Sequence, residues 1–266
     1  MEDNLHEEWT LITGASQGIG KALALECAKR GMNLFLVALP SSGLGEVSAQ
    51  ITQKFGVKVE YLETDLTRMD SCNEVYRYSK SKGLNINVLI NNAGIGYNGK
   101  IDVMPAENVD QMIMLNVRAT TMLVYLYLSD LMARTRAYIL NVGSMAAYSP
   151  LPGKCIYAAS KAYIMFLSKA LAKELKKSCV SVTSVYPYGV MTNDIVKERI
   201  NKSGILARSA VLEADEVAAV SISGMLKRKS ILIPGKMGKV LFYTGFLIPQ
   251  GLVLKIMERE FRRAPV

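Results

Sequence analysis

Histidine is nearly missing from this chain: there is one, His6, ahead of the first recognisable strand. Its position bears on Gly14-Ala15-Ser16-Gln17-Gly18, which fits the G-x-S-x-G elbow that presents a serine nucleophile. Hydrolases with that elbow take their base from a histidine that follows the serine, whereas His6 precedes Ser16 by ten residues. That order argues against a hydrolase, and acid–base chemistry here has to use another side chain. Cysteine is sparse too. Cys27, Cys72, Cys155 and Cys179 are scattered without a C-x-x-C pair. Neither a disulfide framework nor a zinc site is expected, and all four are predicted to be buried free thiols in a reducing compartment. A secretory signal needs a basic start and an apolar run of about 7–15 residues. The opening MEDNLHEEW is acidic and polar, so export is not expected and a cytoplasmic location is predicted.

What is present is length and apolar content. With 266 residues, half of them hydrophobic, the chain can bury a sizeable core as one domain. The formal charge of +9 is unevenly spread: residues 227–266 carry a net +7 and the other 226 residues only +2. The basic excess belongs to a tail, so nucleic acid is not expected as a partner.

Short apolar runs alternate with longer amphipathic stretches, the pattern of a parallel sheet wrapped by helices. Strands are predicted at Trp9–Thr13, Asn33–Ala38, Lys58–Glu63, Val88–Asn91, Ala137–Val142, Val180–Pro187 and Ser230–Ile233. Helices are predicted at Gly18–Arg30, Leu44–Phe55, Asp70–Lys82, Glu107–Met132, Ile156–Lys177 and Asp215–Lys227. The fold class is α/β: a single-domain, doubly wound, seven-stranded parallel sheet with helices on both faces. In such sheets ligands bind at the carboxyl ends of the strands. The glycine turn after the first strand offers a place for pyrophosphate, Gly14 allowing the turn and Gly18 and Gly20 removing side chains where phosphate and helix come close.

Two more segments carry chemistry. VGSMAAYSPLPGKCIYAASKAYI places Ser144 just past a strand, Tyr157 thirteen residues later, and Lys161 one helical turn beyond Tyr157. Residues at i and i+4 share a helix face, so the ammonium is expected near the phenol oxygen, lowering its pKa from about 10. A phenol so tuned exchanges a proton with a carbonyl or an alcohol without histidine, while Ser144 hydrogen-bonds the same oxygen. NNAG, Asn91 to Gly94, ends the fourth strand.

TGASQGIG, NNAG and the Ser144, Tyr157, Lys161 set, in that order and spacing, resemble the short-chain dehydrogenase/reductase family over about Trp9 to Ile233. The resemblance implies a Rossmann-type fold, Tyr157 as acid/base, Ser144 as stabiliser of the substrate oxygen, and Lys161 as tuner of the phenol and ligand of the nicotinamide ribose. Asn116, in MLNV, matches the asparagine that helps hold a proton-relay water. The cofactor is implied to meet Gly14, Ser16, Gln17, Gly18, Ile19 and Gly20 at its phosphates. Asp65, Leu66, Asn92, Ala93 and Gly94 match its adenosine side, and Pro187, Val190 and Thr192 its nicotinamide side.

Two departures follow. The second strand ends in LFLVALPSSG, with no carboxylate to hydrogen-bond a ribose 2′-hydroxyl and no arginine at Leu39. Ser41, Ser42 and Lys21 can meet a 2′-phosphate, so NADP(H) is expected, with NAD(H) as the other choice. After the sixth strand the chain reads YPYGVMT, with Tyr188 where the family commonly has glycine. That variant resembles the 3-ketoacyl reductase and 17-beta-hydroxysteroid dehydrogenase subgroup, or is a neutral change.

The reading is therefore an NAD(P)-dependent oxidoreductase that reduces a hydrophobic ketone, 3-oxoacyl or steroid-like. Its rival is a non-catalytic cofactor-binding regulator of the same fold. Residues 1–234 are expected to form the dinucleotide-binding and catalytic domain, and 235–266 an apolar, basic extension. The run Val240 to Leu254 is too short and too interrupted by Gly245, Pro249 and Gly251 to span a membrane, where about 20 residues are needed. It is left as a lid, a packing or dimer contact, or a membrane-surface segment. Glu107–Met132 and Ile156–Lys177 match the helices that pair subunits in the family, so a homo-dimer or homo-tetramer is expected.

Overall fold

The computed structural model describes residues 8–191, 211–245 and 251. Seven parallel strands form the main sheet: β1 (Glu8–Thr13), β2 (Asn33–Ala38), β3 (Val59–Glu63), β4 (Asn85–Asn91), β5 (Ala137–Val142), β6 (Val180–Val185) and β9 (Ile231–Leu232). Their spatial order is β3-β2-β1-β4-β5-β6-β9. A separate parallel pair, β7 (Gly189–Met191) and β8 (Val211–Glu213), lies beyond the carboxyl end of β6.

The alternation along each strand sorts the core into two faces. In β2, Leu34, Leu36 and Ala38 join one cluster while Phe35 and Val37 join the other. Helices α1 (Gly18–Lys29), α2 (Leu44–Phe55) and α7 (Ala214–Leu226) cover the first face. Helices α3 (Ser71–Ser81), α5 (Thr120–Met132) and α6 (Cys155–Glu174) cover the second, and α4 (Ala106–Met112) leads toward α5. A strand buried on both faces reads as a near-continuous apolar run, which is why NLFLVA and AYILNV, with one asparagine each, are recognisable in sequence. In α2, Leu44, Val47, Ser48 and Ile51 form the buried stripe, and left-handed Gly56 ends the helix with its N–H on Thr52 O.

Several boundaries differ from expectation. β4 begins at Asn85, three residues before the predicted Val88, because Asn85 and Asn87 hide its start; Asn87 hydrogen-bonds Glu8 across the strand ends. β6 ends at Val185, since Tyr186 still donates to Leu232 O but Pro187 has no N–H to continue the ladder. The predicted helix Glu107–Met132 is continuous but contains a π-helical segment, Ile113–Ala119, between α4 and α5. One further helix, α8 (Lys236–Gly245), forms from the first part of the apolar tail. The expectation of four buried thiols is corrected: Cys27 and Cys72 are buried, Cys179 is half-buried, and Cys155 is exposed at the first turn of α6.

Reversal of strand order between β1 and β4 opens a crevice at their carboxyl ends, where doubly wound sheets bind ligands.

Candidate active site

The turn between β1 and α1 is shaped by its glycines. Gly14 and Gly18 have φ of 65° and 54°, and a Cβ on Gly20 would collide with Gly14 O. The turn is locked to NNAG: Asn92 Nδ2 donates to Thr13 O (2.9 Å) and Gly14 O (3.1 Å), and Thr13 Oγ1 accepts from Asn92 N and Ala93 N at 3.0 Å. Gln17, exposed and extended, precedes α1 and makes no side-chain cap. The first-turn amides, with half-buried Ser16 and Ile19 beside them, suit an anion.

At the end of β2, Leu39 and Ser41 are exposed, and Ser41 takes a left-handed φ of 59°. Ser42 Oγ is buried with no hydrogen-bond partner, so a polar ligand would satisfy it. Asp65 Oδ1 accepts from Thr67 N (2.9 Å) and Thr67 Oγ1 (2.8 Å), holding the loop after β3. Leu66 is buried in the core cluster with Phe35 and Val37, which leaves its backbone rather than its side chain for a ligand.

Past β5, Ser144 is extended and accepts from Ala146 N through Oγ at 3.1 Å, capping the 3₁₀ turn Met145–Tyr148. Its hydrogen bond reaches Tyr157 on the first turns of α6. Lys161 is buried one turn further, donates to Val142 O at 3.0 Å, and lies 5.9 Å from the Tyr157 ring centroid. Burial lowers the ammonium pKa to about 8. The phenol differs from expectation: burial holds it above the ordinary tyrosine value, with only the Ser144 hydrogen bond pulling it down. The spacing of Tyr157 and Lys161 gave a shared helix face, but their depth decides the direction.

Asn116 sits in the π-helical segment, completely buried. Its Oδ1 accepts from Ile95 N (2.9 Å), and its Nδ2 donates to Ile95 O (2.9 Å) and Ser160 Oγ (3.0 Å). A Cβ on Gly94 would lie 3.1 Å from Asn116 Oδ1 and 3.3 Å from Lys161 Nζ, so NNAG also borders this set. Val190 lies in β7, Pro187 accepts from Met145 N at 3.1 Å, and Thr192 falls outside the described residues.

Sequence reasoning missed three features. Gly96 passes Tyr157 so closely that a Cβ would lie 3.2 Å from its ring, and the extra glycine in NNAGIG was the available signal. Ser160 bridges Asn116 to Tyr157 O, accepting from the one and donating to the other at 2.8 Å. Tyr148, Tyr186 and Phe242 form an aromatic cluster beside the serine turn, with no local sequence signature because they are far apart in the chain. A cavity of about 450 Å³ lined by Lys169, Lys173, Lys176 and Arg228 contains none of the groups above; the crevice is marked by its chemistry.

The arrangement brings a hydroxyl, a protonated phenol, an ammonium and an uncapped glycine turn to one end of the sheet. The family model for short chain dehydrogenase matches residues 8–203. The very-long-chain 3-oxoacyl-CoA reductase of Anas platyrhynchos is 36% identical over 188 residues, 69% of this chain and 60% of that protein. The chain thus spans about 60% of the length of such relatives. The 17-beta-hydroxysteroid dehydrogenase type 3 of Homo sapiens is 30% identical over 239 residues, 81% of this chain and 74% of that protein. Among solved structures, a short-chain dehydrogenase from Sphingobium yanoikuyae in complex with NADPH superposes with a TM-score of 0.77 at 33% identity, covering 92% of this chain and 95% of that one.

Proposed function

Because the chain belongs to the short-chain dehydrogenase family, we propose that it is an NAD(P)-dependent oxidoreductase that reduces a hydrophobic ketone, with Tyr157 as proton donor. The observation that carries the reading is the meeting of Ser144, Tyr157 and Lys161 beside the glycine turn. A nicotinamide dinucleotide, when bound, supplies the hydride. Gly14, Ser16, Gln17, Gly18, Ile19 and Gly20 would hold its phosphates, Asp65, Leu66, Asn92, Ala93 and Gly94 its adenosine side, and Lys161 with Pro187, Val190 and Thr192 its nicotinamide side.

The residues' own chemistry suits reduction. Tyr157 is protonated at neutral pH as any phenol is, burial raises its pKa further, and it gives that proton to the carbonyl oxygen as negative charge develops there. Ser144 hydrogen-bonds the same oxygen. Lys161, charged below about pH 8, would hold the ribose hydroxyls of the bound cofactor and stabilises the phenolate left behind. Asn116 stays bound to Ile95 on both sides of its amide, fixing the loop over the site.

NADPH is the favoured cofactor, on the absence of a carboxylate at the end of β2 and the unpartnered Ser42 Oγ there. An apolar ketone, 3-oxoacyl or steroid-like, is favoured on the relatives' names and on the exposed Ile101, Val103, Tyr188, Val240 and Tyr243. No observation favours a binding-only regulator. We also propose a homo-oligomer in the cytoplasm whose basic, apolar tail can meet a membrane surface, residues 1–234 forming the catalytic unit and 235–266 the extension.

Titration of the purified chain with NADPH and NADH, followed by quenching of Trp9, tests the cofactor assignment. At least tenfold tighter NADPH binding, about 1.4 kcal/mol, is expected; equal binding overturns the 2′-phosphate assignment. A panel of apolar ketones then tests turnover. Tyr157→Phe should lower kcat by about 10²–10⁴-fold with NADPH binding retained, whereas a regulator would show no turnover to lose.

A further inference from the structure

The tail helix α8 reaches the catalytic serine through a stack of rings. Phe242 meets Tyr148 edge-on, with centroids 4.7 Å apart and planes at 83°. Tyr148 in turn meets Tyr186 edge-on at 5.1 Å and 73°. Tyr186 is completely buried, is fixed by donating to Ser184 Oγ at 2.8 Å, and lies so close to Gly143 that a Cβ there would be 2.6 Å from its ring. Gly143 and Tyr148 bracket Ser144 and the 3₁₀ turn it caps.

That turn needs such support. It has four residues, and short 3₁₀ turns have poor hydrogen-bond geometry and little stability of their own. Its internal bonds both run to its capping residue, Ala146 N on Ser144 Oγ and Ala147 N on Ser144 O at 3.0 Å, and Met145 N is tied to Pro187 O. Its carboxyl end is held by packing, with Tyr148 between Tyr186, Phe242 and the Lys169 ammonium, 5.5 Å above its ring. Among the described residues, Phe242 is the tail side chain that meets Tyr148, and Tyr243 stands edge-on to Phe242 in turn.

We propose that Phe242 is a positioning residue for Ser144: by clamping Tyr148 it fixes the serine turn, and so holds the Ser144 hydroxyl beside Tyr157 where the substrate oxygen is met. This rests on the reductase reading, and it turns the tail from a covering segment into a part of the active site. Phe242 acts through Tyr148 on the serine turn, while the cofactor contacts at the β1 turn lie on other elements.

The test uses the full chain and the variants Phe242→Ala, Phe242→Leu and Phe242→Tyr. Amide hydrogen exchange is read first, with no ketone present. Phe242→Ala should speed exchange across Met145–Tyr148 relative to β5 and α6 in the same molecule, and Phe242→Tyr, which keeps the ring, should not. Phe242→Leu keeps apolar volume without a ring edge, and serves in place of the alanine variant if that one fails to fold. Ketone reduction is then compared in the parent and Ser144→Ala backgrounds. Phe242→Ala should cut kcat by about tenfold in the parent with the NADPH KM unchanged, and have no further effect once Ser144 is gone, the mark of two residues acting as one. Unchanged exchange at Met145–Tyr148, or an equal loss of kcat in both backgrounds, overturns the proposal. A chain that reduces no ketone sinks the reductase reading, while the exchange comparison still decides whether Phe242 fixes the turn.

Discussion

Lys161 shows how a single side chain can be tuned against stability. Its ammonium is buried with one hydrogen bond, to Val142 O, and desolvation brings its pKa from 10.5 to about 8. Between these values the unfolded chain binds more protons than the folded one, so this residue's contribution to stability rises with pH from about 8 to 10.5 and is least favourable below 8. Lys161→Met isolates that contribution. Between pH 7 and pH 10.5 the difference in unfolding free energy should move in favour of the parent by about 3 kcal/mol, read from denaturant melts at each pH. A pH-independent difference would mean that the lysine titrates alike in both states. Ketone reduction should fall as pH rises through about 8, as Lys161 loses its charge. The depth that sets these shifts was not legible in sequence. The spacing Tyr157 to Lys161 places both on one helix face, yet it says nothing of how far that face is from water, and so it gave the wrong direction for the phenol.

Among the elements, the legible ones had a strong local pattern and clear ends. The helix Leu44–Phe55 has apolar positions at helical spacing between two left-handed glycines, Gly43 and Gly56, and β2 and β5 are mostly apolar runs with one asparagine each. The illegible ones lacked such marks. A π-helical segment has no composition of its own, so the one that carries Asn116 looked like any stretch of the long helix. Helix α8 overlaps the start of the apolar run Val240 to Leu254, whose Gly245, Pro249 and Gly251 argued for interruption. The turn between β1 and α1 was legible because its chemistry forbids side chains, and this gives a sharp expectation. Gly20→Ala places a Cβ into Gly14 O, a backbone atom held by Asn92, and the turn cannot relax without parting from NNAG. The variant should lose about 2–4 kcal/mol in a urea melt and lose NADPH binding with it. A variant of parental stability that still binds NADPH would show that the turn is looser than its hydrogen bonds imply.

At the scale of the whole molecule, the doubly wound sheet and the position of its crevice were legible from the alternation of elements, while the assembly was approached only through resemblance. Among the described residues, one helix, Ala106–Met132, is long and apolar enough to cross a membrane by length and composition. In the fold, Leu123, Val124, Tyr127 and Leu131 on its second half are buried in the core, which accounts for part of that apolar character. Other apolar side chains lie outward: Ile113, Tyr125 (73% exposed) and Met132 on this helix, with Tyr163 and Phe166 (67% exposed) on α6. Thr121 Oγ1 and Tyr163 Oη are 3.0 Å apart across the two helices, so these side chains belong to adjoining surfaces. Large apolar groups gathered in this way are costly in water and are covered when a second copy packs on them. Sedimentation should therefore give the parent a mass of at least two chains, and the double variant Tyr125→Glu, Phe166→Glu that of one, since each new carboxylate would be desolvated at the contact. Neither residue is near Tyr157 in the hydrogen-bonded set described above, so NADPH should still bind the separated chain. A parent that sediments as a monomer would assign these side chains to another partner and leave the reductase chemistry of a single chain unaltered.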